Sequence, residues 1–113
     1  MYQVYLTDHA RKNLKKLKKY GKETLRQAWR VLGELERDPY GMTQELQAPL
    51  QGYRSLHMGR FRAVIRIVDK EVRVYVVGVG WHESGDRDDI YQVVHRALIS
   101  GAIRFKAPER GKE

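Results

Sequence analysis

Four arginines and one histidine carry the chemistry open to this chain. Arg54, Arg60, Arg62 and Arg66 fall within the block Leu50 to Tyr91, on runs that alternate as half-buried strands do, and His82 stands where the last run should end. Guanidinium groups keep their charge and match phosphate oxygens with paired donors. An imidazole exchanges its proton near neutral pH. Cations fixed on a rigid sheet beside one such group are what RNA cleavage without a metal needs. The substrate's 2′-hydroxyl attacks the adjacent phosphate, one proton is removed, another goes to the leaving 5′-oxygen, and the crowded phosphate is neutralised.

The elements that must position these groups follow from periodicity. Residues 2–6 alternate in β-favouring types, and Thr7 or Asp8 then caps a helix with Ala10, Leu14 and Leu17 on one face. Gly21 breaks it. A second helix runs from Glu23 to about Arg37 with Leu25, Ala28, Trp29, Leu32 and Leu35 as its buried stripe, and Asp38-Pro39 closes it. The two form an antiparallel hairpin on one face of a sheet. Residues 40–52 read as a loop. Three strands follow, Tyr53 to Met58, Arg60 to Val68 and Glu71 to Val79, and their tight turns at Gly59 and Asp69-Lys70 force antiparallel pairing. In the middle one, Phe61, Ala63, Ile65 and Ile67 share a face, with Arg60, Arg62, Val64 and Arg66 opposite. The third, valine-rich on both faces, is expected at the centre of the sheet. Asp86 caps a last helix with Ile90, Val93, Val94, Ala97 and Leu98 buried, and Gly101 ends it. Residues 1–101 are expected to form one α+β domain. Residues 102–113 form a short charged tail, anchored by Ile103 and Phe105 and expected to fray at its end.

Composition narrows the partners. Of 113 residues, 22 are Lys or Arg and 14 Asp or Glu, a formal charge of +8 that points to a polyanion or an acidic protein. Seven basic residues, Arg11, Lys12, Lys15, Lys16, Lys18, Lys19 and Lys22, crowd twelve positions around the first helix. This is more than solubility asks and suits salt-dependent phosphate contact. The chain has no cysteine, so neither disulfides nor thiolate zinc sites enter, and His9, His57 and His95 lack the spacing of metal ligands. No apolar run matches a signal peptide or a membrane span. A soluble, cytoplasmic protein without cofactor is expected.

The ordered set of strand, helix, helix and three strands, with LQGYRSLHMGRFRAVIRI, an apolar strand and a GxxH...Y ending, resembles the RelE/ParE superfamily of toxins from type II toxin-antitoxin pairs. The resemblance spans residues 2 to about 98. It implies a β-α-α-β-β-β-α fold and one of two activities: RelE-like members cut messenger RNA in the ribosomal decoding site, and ParE-like members poison DNA gyrase without cleaving nucleic acid. It also implies a small, partly disordered antitoxin whose acidic amphipathic segment wraps the basic surface. Arg62 matches the arginine of the GxxR strand that contacts the scissile phosphate, and Arg54 the first basic residue on the preceding strand. Leu56 departs from the pattern, standing where many RelE proteins have a second lysine. His82 replaces an arginine, as in the branch resembling YoeB and HigB. That branch's carboxylate base aligns near Gln44, with Glu45 adjacent. Tyr91 resembles the late tyrosine that orients or stacks at the cleavage site.

The resemblance favours a ribosome-dependent messenger RNA endonuclease, with Arg62 and Arg54 on the phosphate, His82 as general acid or base, and Tyr91 beside them. Arg60, Trp81 and the basic helix would face RNA or the ribosome. A gyrase poison and an inactive RNA-binding relative are the alternatives. Plainer readings exist for the same residues. The arginines suit a solvated sheet face, His82 suits an ordinary strand-end histidine, and Tyr91, about a quarter turn from the Ile90 stripe, suits a half-buried helix tyrosine. Strict alternation also places Arg54 with Leu56 and Met58, on what reads as the core side. Trp29 reads as packing, and His57 enters only through the strand it shares with Arg54.

Overall fold

The computed structural model describes residues 1–105. A five-stranded sheet in the order β1-β5-β4-β3-β2 forms its middle layer, from β1 (Gln3–Leu6), β2 (Gln44–Glu45), β3 (Arg54–Met58), β4 (Phe61–Val68) and β5 (Arg73–Trp81). Helices α1 (Asp8–Lys16) and α2 (Lys22–Glu34), joined by a 3₁₀ turn at Leu17–Tyr20, cover one face. Helix α4 (Ile90–Ser100) packs on the other. The expected α+β architecture is therefore the observed one. The β3-β4-β5 pairs are antiparallel, as short turns demand, while β1 lies parallel to β5. With β1 added outside β5, the middle position belongs to β4, not to the valine-rich strand.

Alternation along the strands divides the core in two. Ala63 and Ile65 of β4 and Val74 and Val76 of β5 meet Leu14, Leu32 and Leu35 of the hairpin, all of them at or below 1% exposure. Burying each such Leu or Ile side chain contributes about 1.5–3 kcal/mol. Val64 and Val77 point the other way, against Ile90 and Val94 of α4. A bulge at Val64/Ile65 shifts the β4-β5 register. Helix α1 begins where β1 ends because Thr7 serves both: its hydroxyl accepts from the Ala10 N–H at 3.0 Å and donates to the Val77 carbonyl at 2.7 Å. Further along the same strand, Asn13 Oδ1 accepts from the Val79 N–H at 2.9 Å. Together they satisfy a sheet edge that β1 is too short to cover.

Three further expectations are corrected. Residues 40–52 are not wholly irregular, because Asp38 caps a helical turn, α3 (Pro39–Met42), and β2 follows it. Pro39 at the first helical position lacks only an N–H that would have no partner there. Trp29 is 47% exposed, since the buried stripe of α2 runs through Ala28 and Leu32 and leaves it at the flank. The cap of α4 is Asp89, three residues beyond Asp86, which instead accepts from the Asp88 N–H within the preceding turn. Ile103 and Phe105 do anchor the segment after α4: Ile103 is buried, and Phe105 packs on Tyr75 and Tyr53 with the Arg66 guanidinium over its ring. The expected fraying concerns residues 106–113, outside the described residues. No described helix is long and apolar enough to cross a membrane.

Candidate functional site

The hairpin between β3 and β4 sets the geometry. Met58 pairs with Phe61 across a two-residue loop in which Gly59 takes φ +64°, a conformation that suits glycine at the first position of such a turn. Every other pairing follows from this closure. His57 lies opposite Arg62, Ser55 opposite Val64, and Arg62 is level with Gly80 of β5, so His57, Arg62 and Ser55 share the α4 face of the sheet. Gly80 adds no side chain to that row, and Ile90 fills the space above it: a Cβ there would lie 3.0 Å from Ile90 Cδ1.

His82 returns to the same row. Its backbone N–H donates to the Arg60 carbonyl at 3.3 Å, one step beyond the last β5 pair. The Nδ1 atom lies 2.6 Å from Asp89 Oδ1, and Asp89 is 5% exposed. A carboxylate can only accept, so Nδ1 carries the proton and Nε2 is left to the solvent side. Asp89 accepts two more hydrogen bonds, from the Glu83 N–H at 2.6 Å on the same oxygen and from the Tyr91 N–H at 2.9 Å on the other. One buried side chain therefore starts α4 and aims the imidazole. Tyr91 completes the group, with its ring 4.8 Å from that of His82 and its hydroxyl 2.6 Å from Ser55 Oγ.

Arg62 is half-buried. Its Nη1 donates to the carbonyls of Gly59 at 2.7 Å and Phe61 at 2.9 Å, which ties one arm of the guanidinium to the turn. The neighbouring charges are felt at His57, whose imidazole is held below its usual value by partial burial first, then by Arg62 and His82. The exposed His57 imidazole, the Arg62 cation and an imidazole braced by a carboxylate thus share one face of the sheet. Such a set can bind an anion at Arg62 and move protons at two ring nitrogens.

Of the expected site residues, Arg62, His82 and Tyr91 come together and Arg54 does not. Arg54 pairs with Ile65 and so projects to the hairpin face. There its Nε donates to Thr43 Oγ1 at 2.7 Å and its Nη2 to the Thr43 carbonyl at 3.0 Å, and its side chain is 17% exposed. Alternation decides the matter: residues 54 and 57 of one strand have opposite parity and leave opposite faces. Glu45, the carboxylate adjacent to the expected base position, lies 3.7 Å from Arg54 on that same far side. Gln44 pairs with Ser55 on the near side.

Trp81 and Arg60 form a separate cluster at the end of β5. The seven basic residues from Arg11 to Lys22 are all exposed, and none is in an ion pair among the described residues. Sequence reading passed over Ser55 and Asp89 and underweighted His57. Two signals were available. A two-residue turn at Gly59-Arg60 pairs 57 with 62 by counting, and a cap residue stands directly before the first buried helix position, which is Asp89 before Ile90.

Comparison with known proteins follows the same lines. A family model described as the ParE toxin of type II toxin-antitoxin system, parDE, matches residues 4–85. A chain of the toxin-antitoxin complex RelBE2 from Mycobacterium tuberculosis superposes with a TM-score of 0.65 at 29% identity, covering 72% of this chain and 91% of that one. The isolated RelE toxin of E. coli gives a TM-score of 0.60 at 21% identity over 88% of this chain and 98% of that one. The YoeB/ParE toxin from Agrobacterium tumefaciens gives 0.61 at 16% identity over 72% and 99%. The last two are similar in fold. No curated protein matches the chain at a comparable level.

Proposed function

Since this chain belongs to the ParE toxin family of type II toxin-antitoxin systems, we propose that it acts on RNA, as a ribosome-dependent endoribonuclease that cuts messenger RNA without a metal. One observation carries this reading: His82, held through Nδ1 by the buried Asp89 carboxylate, shares a sheet face with Arg62 and contacts Tyr91. A protein that only bound a partner surface would have no need of an oriented imidazole beside a cation.

In the reaction, Arg62 takes the non-bridging oxygens of the scissile phosphate with its free donors, and its positive charge offsets the charge that builds up as the 2′-oxygen attacks. His82, as the imidazolium, gives its Nε2 proton to the leaving 5′-oxygen. Asp89 keeps that nitrogen presented and stabilises the imidazolium, and a positioned proton-transfer group of this kind is worth about 10² to 10⁴ in rate. His57, level with Arg62 and with its imidazole held below the usual value, takes the proton of the attacking 2′-hydroxyl. Tyr91, fixed by Ser55, limits the rotation of the His82 ring. The exposed basic ridge of α1 contacts phosphates of the ribosome. The partner is a cognate antitoxin with an acidic, partly disordered segment that covers these cations, in keeping with the toxin-antitoxin complexes among the similar structures.

The ParE description of the matching family favours a second reading, a gyrase poison without catalysis. Controlled expression of the chain, with transcript 5′ ends mapped beside an Arg62→Ala, His82→Ala variant, separates the two. Codon-phased ends that vanish in the variant support cleavage. Intact transcripts with a DNA-damage response support the second reading, and identical ends from both proteins would remove the assigned site.

A further inference from the structure

Beyond the reactive face, three aromatic rings gather at the end of β5 with cations laid over them. Tyr20, the last residue of the 3₁₀ turn, is 46% exposed. Its ring stacks on Trp81 at 6.2 Å with an interplanar angle of 26°, and Phe61 stands edge-on to both, at 5.2 and 5.6 Å. Lys19 Nζ lies 5.2 Å over the Tyr20 ring and the Arg60 guanidinium 5.6 Å over that of Trp81. From these rings a groove of about 580 Å³ runs to Asp89 and Ile90, with Lys16 and Lys19 lining it together with Asp86 and Asp88.

We propose that this groove is a stacking site for single-stranded RNA, in which an unpaired base packs on the exposed Tyr20 ring, backed by Trp81, and phosphates draw Lys16 and Lys19. The proposal deepens the reading of the protein as acting on RNA and rests on it. Aromatic faces interleaved with cations are what single strands use, because every base offers a ring face and every linkage a charge. The mixed charge of the groove chooses between polyanions. An acidic peptide would bring its carboxylates against Asp86 and Asp88. A nucleotide strand keeps its charge on the phosphates and presents amino groups on its base edges, which those acceptors can hydrogen-bond. The groove reaches Asp89, whose carboxylate holds His82, so bases held in it lie close to the linkage offered to Arg62 and His82. The groove would then grip nucleotides neighbouring the one that is cut.

The chain has two tryptophans, so a Trp29→Phe background leaves Trp81 as the sole indole reporter. Titration of that protein with a short 2′-O-methyl oligoadenylate, which cannot undergo 2′-attack, should give saturable fluorescence quenching. Tyr20→Ser should weaken it about tenfold, while Tyr20→Phe, which keeps the ring, should hold it within about twofold. Absence of quenching, equal affinity of the Ser and wild-type proteins, or quenching by oligoglutamate in place of the oligonucleotide would each overturn the stacking site. Because binding is read without cleavage, the two ideas fail separately. Quenching with uncut transcripts refutes the nuclease reading alone, and codon-phased cuts without quenching refute the groove alone.

Discussion

Replacing Asp89 by Asn tests how far one side chain joins helix capping to imidazole orientation. Asp89 accepts three hydrogen bonds, from His82 Nδ1 and the Glu83 N–H on Oδ1 and from the Tyr91 N–H on Oδ2. An amide has one oxygen. If that oxygen stays toward His82 and Glu83, the amide NH₂ meets the Tyr91 N–H and the cap is lost. If the group flips to keep the cap, the NH₂ meets both His82 Nδ1 and the Glu83 N–H, so the ring must reverse its tautomer and present Nε2 as a donor. Either way a charge-assisted bond in a buried setting is replaced by a donor facing a donor, at a cost of about 2 kcal/mol. In a domain of this size that lowers the melting midpoint by roughly 8 °C. Cleavage on programmed ribosomes, measured as a single-turnover rate well below the new midpoint, should fall by about 10², against about 10³ for His82→Ala. A variant that melts with the wild type and cuts at the wild-type rate would refute the view that Asp89 fixes the imidazole.

Arg54→Ala should behave in the opposite way, losing about 1–3 kcal/mol in urea denaturation as its bonds to Thr43 go while the cleavage rate per folded molecule stays at the wild-type level. Gly78→Ala should destabilise by about 1–3 kcal/mol, because a Cβ at that position would sit 2.7 Å from Val94 Cγ2 between β5 and α4; equilibrium unfolding reads it directly. Asp69 accepts from the hydroxyls of Tyr40 at 2.6 Å and Tyr2 at 2.9 Å, and these bonds hold its carboxyl below the ordinary value. A lowered folded value stabilises above the unfolded one and is lost as pH falls through the folded one. Wild type and Asp69→Asn should therefore differ most at neutral pH and converge in acid, as followed by denaturation across pH. His9 is shifted down chiefly by burial, with Lys16 and Lys12 adding. The unfolded chain then binds the proton more readily, so stability should fall as pH drops below the usual imidazole range, and His9→Gln should flatten that slope.

Long periodic segments were legible from sequence because one interaction dominates each. The Leu14 and Leu32 stripes and the β4 alternation answer only to burial, and all three lie where spacing puts them. Residues whose position depends on two elements at once were harder. Arg54 looked like a partner of Arg62 when each strand was read alone, and only the pairing across Gly59 shows that they diverge. Asp89 had three acidic rivals nearby, Asp86, Asp88 and Glu83, and its role depends on where His82 ends up, which no local pattern encodes. Trp29 keeps the spacing of the α2 stripe but sits at its flank, where the ring is only half covered. The β1-β5 pairing joins segments some seventy residues apart and is parallel, so no turn announces it.

The closure of Met58 on Phe61 makes the side that carries His57 and Arg62 a matter of parity. Because the loop holds two residues, odd-numbered positions of β3 and even-numbered positions of β4 leave the sheet together. One residue inserted or deleted there would bring Leu56 and Met58 outward and press His57 and Ser55 into the hairpin core. Exchanges of residue type around this bend act by degrees, whereas a change of length acts all at once. For divergent or engineered versions of this protein, chain length at the bend is therefore the quantity to hold fixed, ahead of the identity of either residue in it.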